Sequence, residues 1–234
     1  MRILGVLVIV ASMAPMAARA ATGRPVAIRD EGGGTIAGTL WEPAQKPSAA
    51  VLLLHMQTRT KDDWNQLGSR LADAGVAALA IDVRGLASPA DPDARVDSAP
   101  LLADVRAALA FLAGRPDIRP NSLGIVGASM GANLAALAAS GDPRVRGIVL
   151  LSPGLDYRGL RTEAALKKYA ERPALLVASR KDPYALRSVE DLAKDASGPR
   201  EQRIVDAPAH GTELLAREPD LGGAVIDWVR RVLP

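Results

Sequence analysis

The 234-residue chain has no cysteine, so no disulfide, thiolate nucleophile or thiolate metal ligand can be proposed for it. Histidine is nearly as scarce, with only His55 and His210, and no carboxylates gather around them at metal-ligand spacing. Aromatic residues make up 3% of the chain, leaving few rings that could stack on bases. The one glycine run, Gly32-Gly33-Gly34, has no helix after it and so does not qualify as a phosphate cradle. Neither a cofactor nor a metal is therefore expected. Excess charge is missing too. Of 29 basic residues, Arg2 and Arg19 fall in the first twenty positions, and the remaining 27 face 26 acidic ones, dispersed as in "RGLRTEAALKKYAERP". That balance argues against nucleic acid as a partner.

A membrane-spanning run is also absent from the front of the chain. The apolar stretch Ile3–Val10 follows Arg2 and gives way to small residues ending "AARA", too short for a bilayer but suited to a signal peptide, with Ala18 and Ala20 where a signal peptidase reads. Residues 1–20 are expected to be removed, leaving a secreted, periplasmic protein with no membrane anchor. Residues 21–234 contain no linker, repeat or low-complexity tract, which predicts one domain whose stability comes from its core.

What the chain does have is alternation. "VAIRDEGGGTIAGTLWEP" reads as a hairpin, and "AAVLLLHM" is a continuous apolar run suited to a strand covered on both faces. From Asp62, apolar residues at Trp64, Leu67, Leu71 and Ala74 mark a helix closed by Gly75. "VAALAIDVRG" is the next strand, and a helix opening at "DSAP" carries Leu102, Val105, Leu109 and Leu112 on one face. The strand "SLGIVGAS", an alanine-rich helix from Met130, the strands "RGIVLLSPG" and "PALLVASRKD", a helix near 186–194, the strand "REQRIVDAP" and a last helix through Trp228 complete the order. Such a succession means a mostly parallel sheet with helices on both faces, whose reactive groups collect at the carboxyl ends of the strands.

Ser129 stands at one of those ends, in Gly127-x-Ser129-x-Gly131. A sharp strand-to-helix turn there strains the serine backbone, excludes side chains two residues either side, and lifts the hydroxyl above the sheet. The helix beginning after it offers unpaired N–H groups to developing negative charge. A serine hydroxyl needs a base, and His210, in "DAPAHGTELL" after the last strand, is the histidine able to fold back over the carboxyl edge. The base in turn needs a carboxylate from another strand end. Asp182 in "SRKD" is expected to supply it, although a helix-cap role before Pro183 is open to the same residue; Asp156 is the fallback, and Asp206 is placed within the final strand. Met130 N–H should be one oxyanion donor and Gln57 N–H the second, with Met56 as its alternative. His55 reads as a hydrogen-bonded histidine shaping that loop. Tyr157, Trp64 and Tyr184 fall near pocket-forming loops but suit packing or surface positions better.

Together these residues resemble the α/β-hydrolase superfamily, and most of all its small, lidless dienelactone-hydrolase-like esterases. "LLLHMQTRTKDDW" resembles the oxyanion loop and first helix, "GASMG" the nucleophile elbow, "SRKD" the acid loop and "AHG" the histidine loop, in the chain order Ser, Asp, His. The resemblance implies a mostly parallel eight-stranded sheet and a serine hydrolase using Ser129, Asp182 and His210 on a small ester. Dienelactone hydrolase itself uses cysteine where Ser129 stands, and Met56 occupies a place usually held by glycine. About twenty residues between Pro153 and Pro173 leave no room for a lid domain. A prolyl-oligopeptidase-like peptidase and a non-catalytic binding module on the same scaffold are the competing functions.

Overall fold

A computed structural model describes residues 20–88, 91, 93–194 and 197–233; the expected leader, apart from Ala20, lies outside the described residues. The glycine run turns the hairpin: β1 (Arg24–Arg29) pairs antiparallel with β2 (Thr35–Trp41), and Gly33 takes φ +80° at the tip. β2 pairs antiparallel with β4 (Val76–Ile81), and every later neighbour is parallel. With β3 (Ser48–Leu54), β5 (Ile118–Ala128), β6 (Val145–Leu151), β9 (Ala174–Ser179) and β10 (Arg200–Val205), the sheet has eight strands ordered β1-β2-β4-β3-β5-β6-β9-β10.

The continuous apolar runs follow from coverage on both faces. Along β3, Ala50, Leu52 and Leu54 face one apolar layer while Ala49, Val51 and Leu53 face the other, the two-residue period of a strand written twice in hydrophobic residues. The first layer is completed by α2 (Ser98–Ala113), α3 (Met130–Gly141), α4 (Thr162–Tyr169) and α5 (Pro183–Lys194). The second is completed by α1 (Asn65–Asp73), the short α6 (Glu213–Arg217) and α7 (Leu221–Val232).

Helix ends follow the predicted punctuation. Asp97 accepts from Ala99 N–H at the start of α2, and Gly75 sits at φ +90° beyond α1. The expected first helix is divided, with a 3₁₀ turn at Lys61–Trp64 before α1. Three elements were not anticipated: the β7 (Asp156–Tyr157) and β8 (Leu160–Arg161) ribbon, α4, and α6. The ribbon and α4 occupy the segment between Pro153 and Pro173, and no separate lid domain is formed there. Among the described residues no helix is long and apolar enough to cross a membrane.

Candidate active site

Five loops meet at the carboxyl rim. In the elbow between β5 and α3, Ser129 has φ 53° and ψ −121°, a region an L-residue occupies at a cost of about 1–3 kcal/mol. The geometry explains both glycines. A Cβ on Gly127 would collide with the Gly131 carbonyl, and one on Gly131 would collide with the backbone carbonyls of Leu54 and His55. The turn therefore closes on itself and packs against the end of β3. Ser129 N–H donates to Leu151 O at 2.8 Å, fixing the elbow to β6.

His210 arrives from the loop after β10. Its Nδ1 lies 2.5 Å from Asp182 Oδ2, and the histidine side chain is 36% exposed against 17% for the aspartate. The carboxylate is thus the inner partner, bound through Nδ1 and leaving Nε2 as the ring's other nitrogen. The two oxygens of Asp182 have different partners, since Oδ1 accepts from Ala185 N–H at 3.2 Å in the first turn of α5. Gly211, at φ +58°, packs on the elbow: a Cβ there would lie 3.8 Å from Ser129 Cβ and 2.6 Å from Met56 Sδ. The histidine loop and the serine elbow are therefore in contact.

Two hydroxyls hold that loop, and neither was singled out from sequence. Ser152 Oγ accepts from Gly211 N–H at 3.0 Å, and Thr212 Oγ1 donates to Asp63 Oδ2 at 2.6 Å. Ser152 is buried and carries φ +50°, with its own N–H bonded to Val177 O. A serine before a proline gives no signal for such a role, because its partner lies 59 residues away.

Met130 is the first residue of α3, directly after Ser129, where N–H groups have no intrahelical acceptor. Gln57 lies in the loop after β3, which is drawn tight: Thr58 at φ 63° donates its N–H to Leu86 O, and Met56 O accepts from Arg59 N–H. His55 organises this loop from below. It is fully buried, with Nδ1 2.8 Å from Met56 O and Nε2 accepting from Val83 N–H at 3.1 Å. Burial pushes its pKa below the ordinary histidine value, consistent with a neutral ring protonated on Nδ1.

The other candidates are placed elsewhere. Asp156 is bonded to Gly159 N–H and Arg161, whereas the carboxylate on His210 is Asp182. Asp206 lies one residue past β10 rather than inside it, and pairs with Arg180 at 3.1 Å. Trp64 is fully buried in the layer beneath the sheet, and Tyr184 is 43% exposed. Tyr157 does reach the site. Its hydroxyl approaches the Ser129 side chain and donates to Ser152 O at 3.4 Å, and its ring stands edge-on to His210 with centroids 6.3 Å apart. Burial, and then the nearby Asp182 charge, raises the phenol well above its usual pKa and keeps it a neutral donor. Buried Asn133, four residues after Ser129, holds the Tyr157 loop through Gly154 O at 2.9 Å and Leu160 O at 2.7 Å. Among the described residues no group of three or more carboxylates and histidines is placed to hold a metal ion.

A serine elbow, a histidine backed by a carboxylate, and a helix N-terminus at one rim of this sheet define the α/β-hydrolase class. Within it, the family described as serine aminopeptidase, S33, matches residues 45–204, and the chain belongs to that family. Among solved structures, a dienelactone hydrolase from Anabaena variabilis superposes with a TM-score of 0.78 at 21% identity, covering 92% of this chain and all of that one. An esterase of Pyrococcus furiosus gives 0.74 at 18% identity over 97% and 96% of the two chains. A thermostable carboxylesterase cloned from a metagenomic library gives 0.70 at 21% identity over 92% and 90%. At these identities the likeness is one of fold. No curated protein matches the sequence.

Proposed function

We propose that the protein is an exported serine hydrolase that cleaves carboxylic esters of small or accessible substrates through an acyl-enzyme. Ser129 Oγ attacks the carbonyl carbon while His210 Nε2 takes its proton, Asp182 holds the imidazole through Nδ1, and Met130 and Gln57 N–H groups receive the oxyanion. The imidazolium then protonates the leaving alcohol, and water, activated by the same histidine, releases the acid. The observation that carries the proposal is the 2.5 Å contact between His210 Nδ1 and Asp182, in a loop whose next residue packs on Ser129. Ser129→Ala should lower turnover of nitrophenyl esters by roughly three orders of magnitude or more, leaving only binding and oxyanion contributions. An unchanged rate would reject the mechanism.

The family description favours a second reading, an aminopeptidase acting on short peptides. Such an enzyme needs a carboxylate to hold the substrate ammonium, and near Tyr157 the candidate Asp156 is already engaged by Gly159 N–H and Arg161. Turnover of aminoacyl anilides in preference to nitrophenyl esters would reverse the order of the two readings. A non-catalytic scaffold would fail to label with a fluorophosphonate, whereas an activated Ser129 reacts.

A further inference from the structure

We propose that Tyr157 is a catalytic residue whose phenolic hydroxyl donates a hydrogen bond to the departing oxygen of an ester, so that the site selects oxygen leaving groups over nitrogen ones. The inference rests on the ester-hydrolase reading and deepens it.

The position of Tyr157 follows from strand order. β5, which carries Ser129, lies between β3 and β6. The loop after β3 brings Gln57, so the oxyanion is received on that side of Ser129. Tyr157 comes from the segment after β6, on the opposite side, where its ring stands edge-on to His210 and its hydroxyl donates to Ser152 O close to the Ser129 side chain. It is therefore no third oxyanion donor. In a tetrahedral intermediate on Ser129, the substituent that must reach His210 to collect a proton is the leaving group, and the Tyr157 hydroxyl lies beside that path.

The ring is fixed while its hydroxyl is loosely engaged. Tyr184 packs against it at 5.4 Å between centroids, and a Cβ on Gly154 would come within 2.8 Å of it. The hydroxyl donates to the Ser152 carbonyl at 3.4 Å, too long for a strong O–H···O bond. An arriving oxygen can take over that donor without moving the ring.

At collapse, the bond between the carbonyl carbon and the leaving oxygen breaks and its electron pair stays on that oxygen. The proton on His210 Nε2 transfers to the same oxygen, giving the alcohol, while Tyr157 keeps its proton and donates a hydrogen bond. An ester oxygen has two lone pairs and can accept from both groups. An amide nitrogen has one, and the histidine proton uses it. Alkyl alcohols, which leave poorly, should gain most from the second donor, and nitrophenols least.

The test compares wild type and Tyr157→Phe on acetate esters of alcohols from nitrophenol to ethanol and on matched acetanilides, reading kcat/KM, which reports the step in which the alcohol leaves. We expect both ester rates to fall in Y157F, with the ethyl ester losing roughly ten-fold more than the nitrophenyl ester, so that the dependence on alcohol pKa steepens. Parallel dependences, or an equal loss on anilides, would overturn the role of Tyr157 and leave the ester-hydrolase reading standing. Wild-type turnover of the nitrophenyl ester no higher than that of Ser129→Ala would remove that reading and this proposal together.

Discussion

The two histidines occupy comparable places, each in the loop after a parallel strand, yet their surroundings divide them into different roles. His55 is fully buried, and both ring nitrogens are committed to backbone groups, Met56 O and Val83 N–H. His210 is partly open to solvent, with one nitrogen on a carboxylate. A ring bonded twice to neutral backbone partners is a structural strut: taking a proton would break its bond to Val83 and place an unpaired charge in the core. A ring with an anion behind Nδ1 is held in one orientation and tautomer with Nε2 as the acceptor, the arrangement a base in acyl transfer needs. Position after a strand is therefore insufficient; what matters is how many nitrogens the fold has already used.

The sharpest consequence concerns rate. His210→Ala should lower ester kcat by roughly three orders of magnitude or more with little change in thermal midpoint, because the side chain is partly exposed and packs little. Steady-state kinetics on a nitrophenyl ester measures it, and a fall of less than ten-fold would transfer the base role elsewhere. His55→Leu should show the converse balance. It leaves Val83 N–H without its partner and takes one of two donors from the Met56 carbonyl, which keeps Arg59 N–H, a loss of about 1–3 kcal/mol in unfolding free energy, read by urea denaturation. A variant as stable as wild type but unable to react with a fluorophosphonate would exchange the roles of the two residues.

A smaller effect is expected from the tether of the histidine loop. Ser152→Gly removes the hydroxyl that accepts from Gly211 N–H, and at φ +50° it also relieves a strained backbone. Relief of about 1 kcal/mol offsets the lost bond of similar size, so stability should hardly change. kcat should nevertheless fall roughly ten-fold at constant KM, since a histidine displaced by even a fraction of an ångström transfers its proton less well. Unaltered kcat would mean that the Thr212–Asp63 bond is sufficient to hold the loop.

What was legible in the sequence had local causes. The strands were visible because burial on both faces leaves polar residues only at the ends of β3 and β9, Ser48 and Ser179, and none in β4, and the elbow because only glycine fits where Gly127 and Gly131 touch backbone. Asp182 could be proposed for its place at a strand end, but that it caps α5 with one oxygen and meets His210 with the other depends on two elements meeting in space. α4 was overlooked because its charged residues, among them Glu163, Lys167 and Lys168, mask the buried face of Ala165, Leu166 and Tyr169. Ser152 and Tyr157 were illegible for a different reason. A hydroxyl acquires its function from partners distant in the chain or brought round by a turn, and neither leaves a periodic trace.

The finest distinction between the two histidines is in their response to acid. Burial lowers the His55 pKa from its ordinary 6.5, so the native ring stays neutral at a pH where the unfolded chain already binds a proton. The unfolded state then holds more protons, and stability falls as pH drops below 6.5, by up to about 1.4 kcal/mol per pH unit for this single group. Above that pH the contribution is fully present. Urea midpoints taken from about pH 8 down to about pH 5 should therefore converge for wild type and His55→Leu, because only wild type carries this term and every other ionisable side chain is common to both. Curves that stay parallel across that interval would mean that the native ring accepts a proton as readily as the unfolded one, which its bond to Val83 N–H forbids.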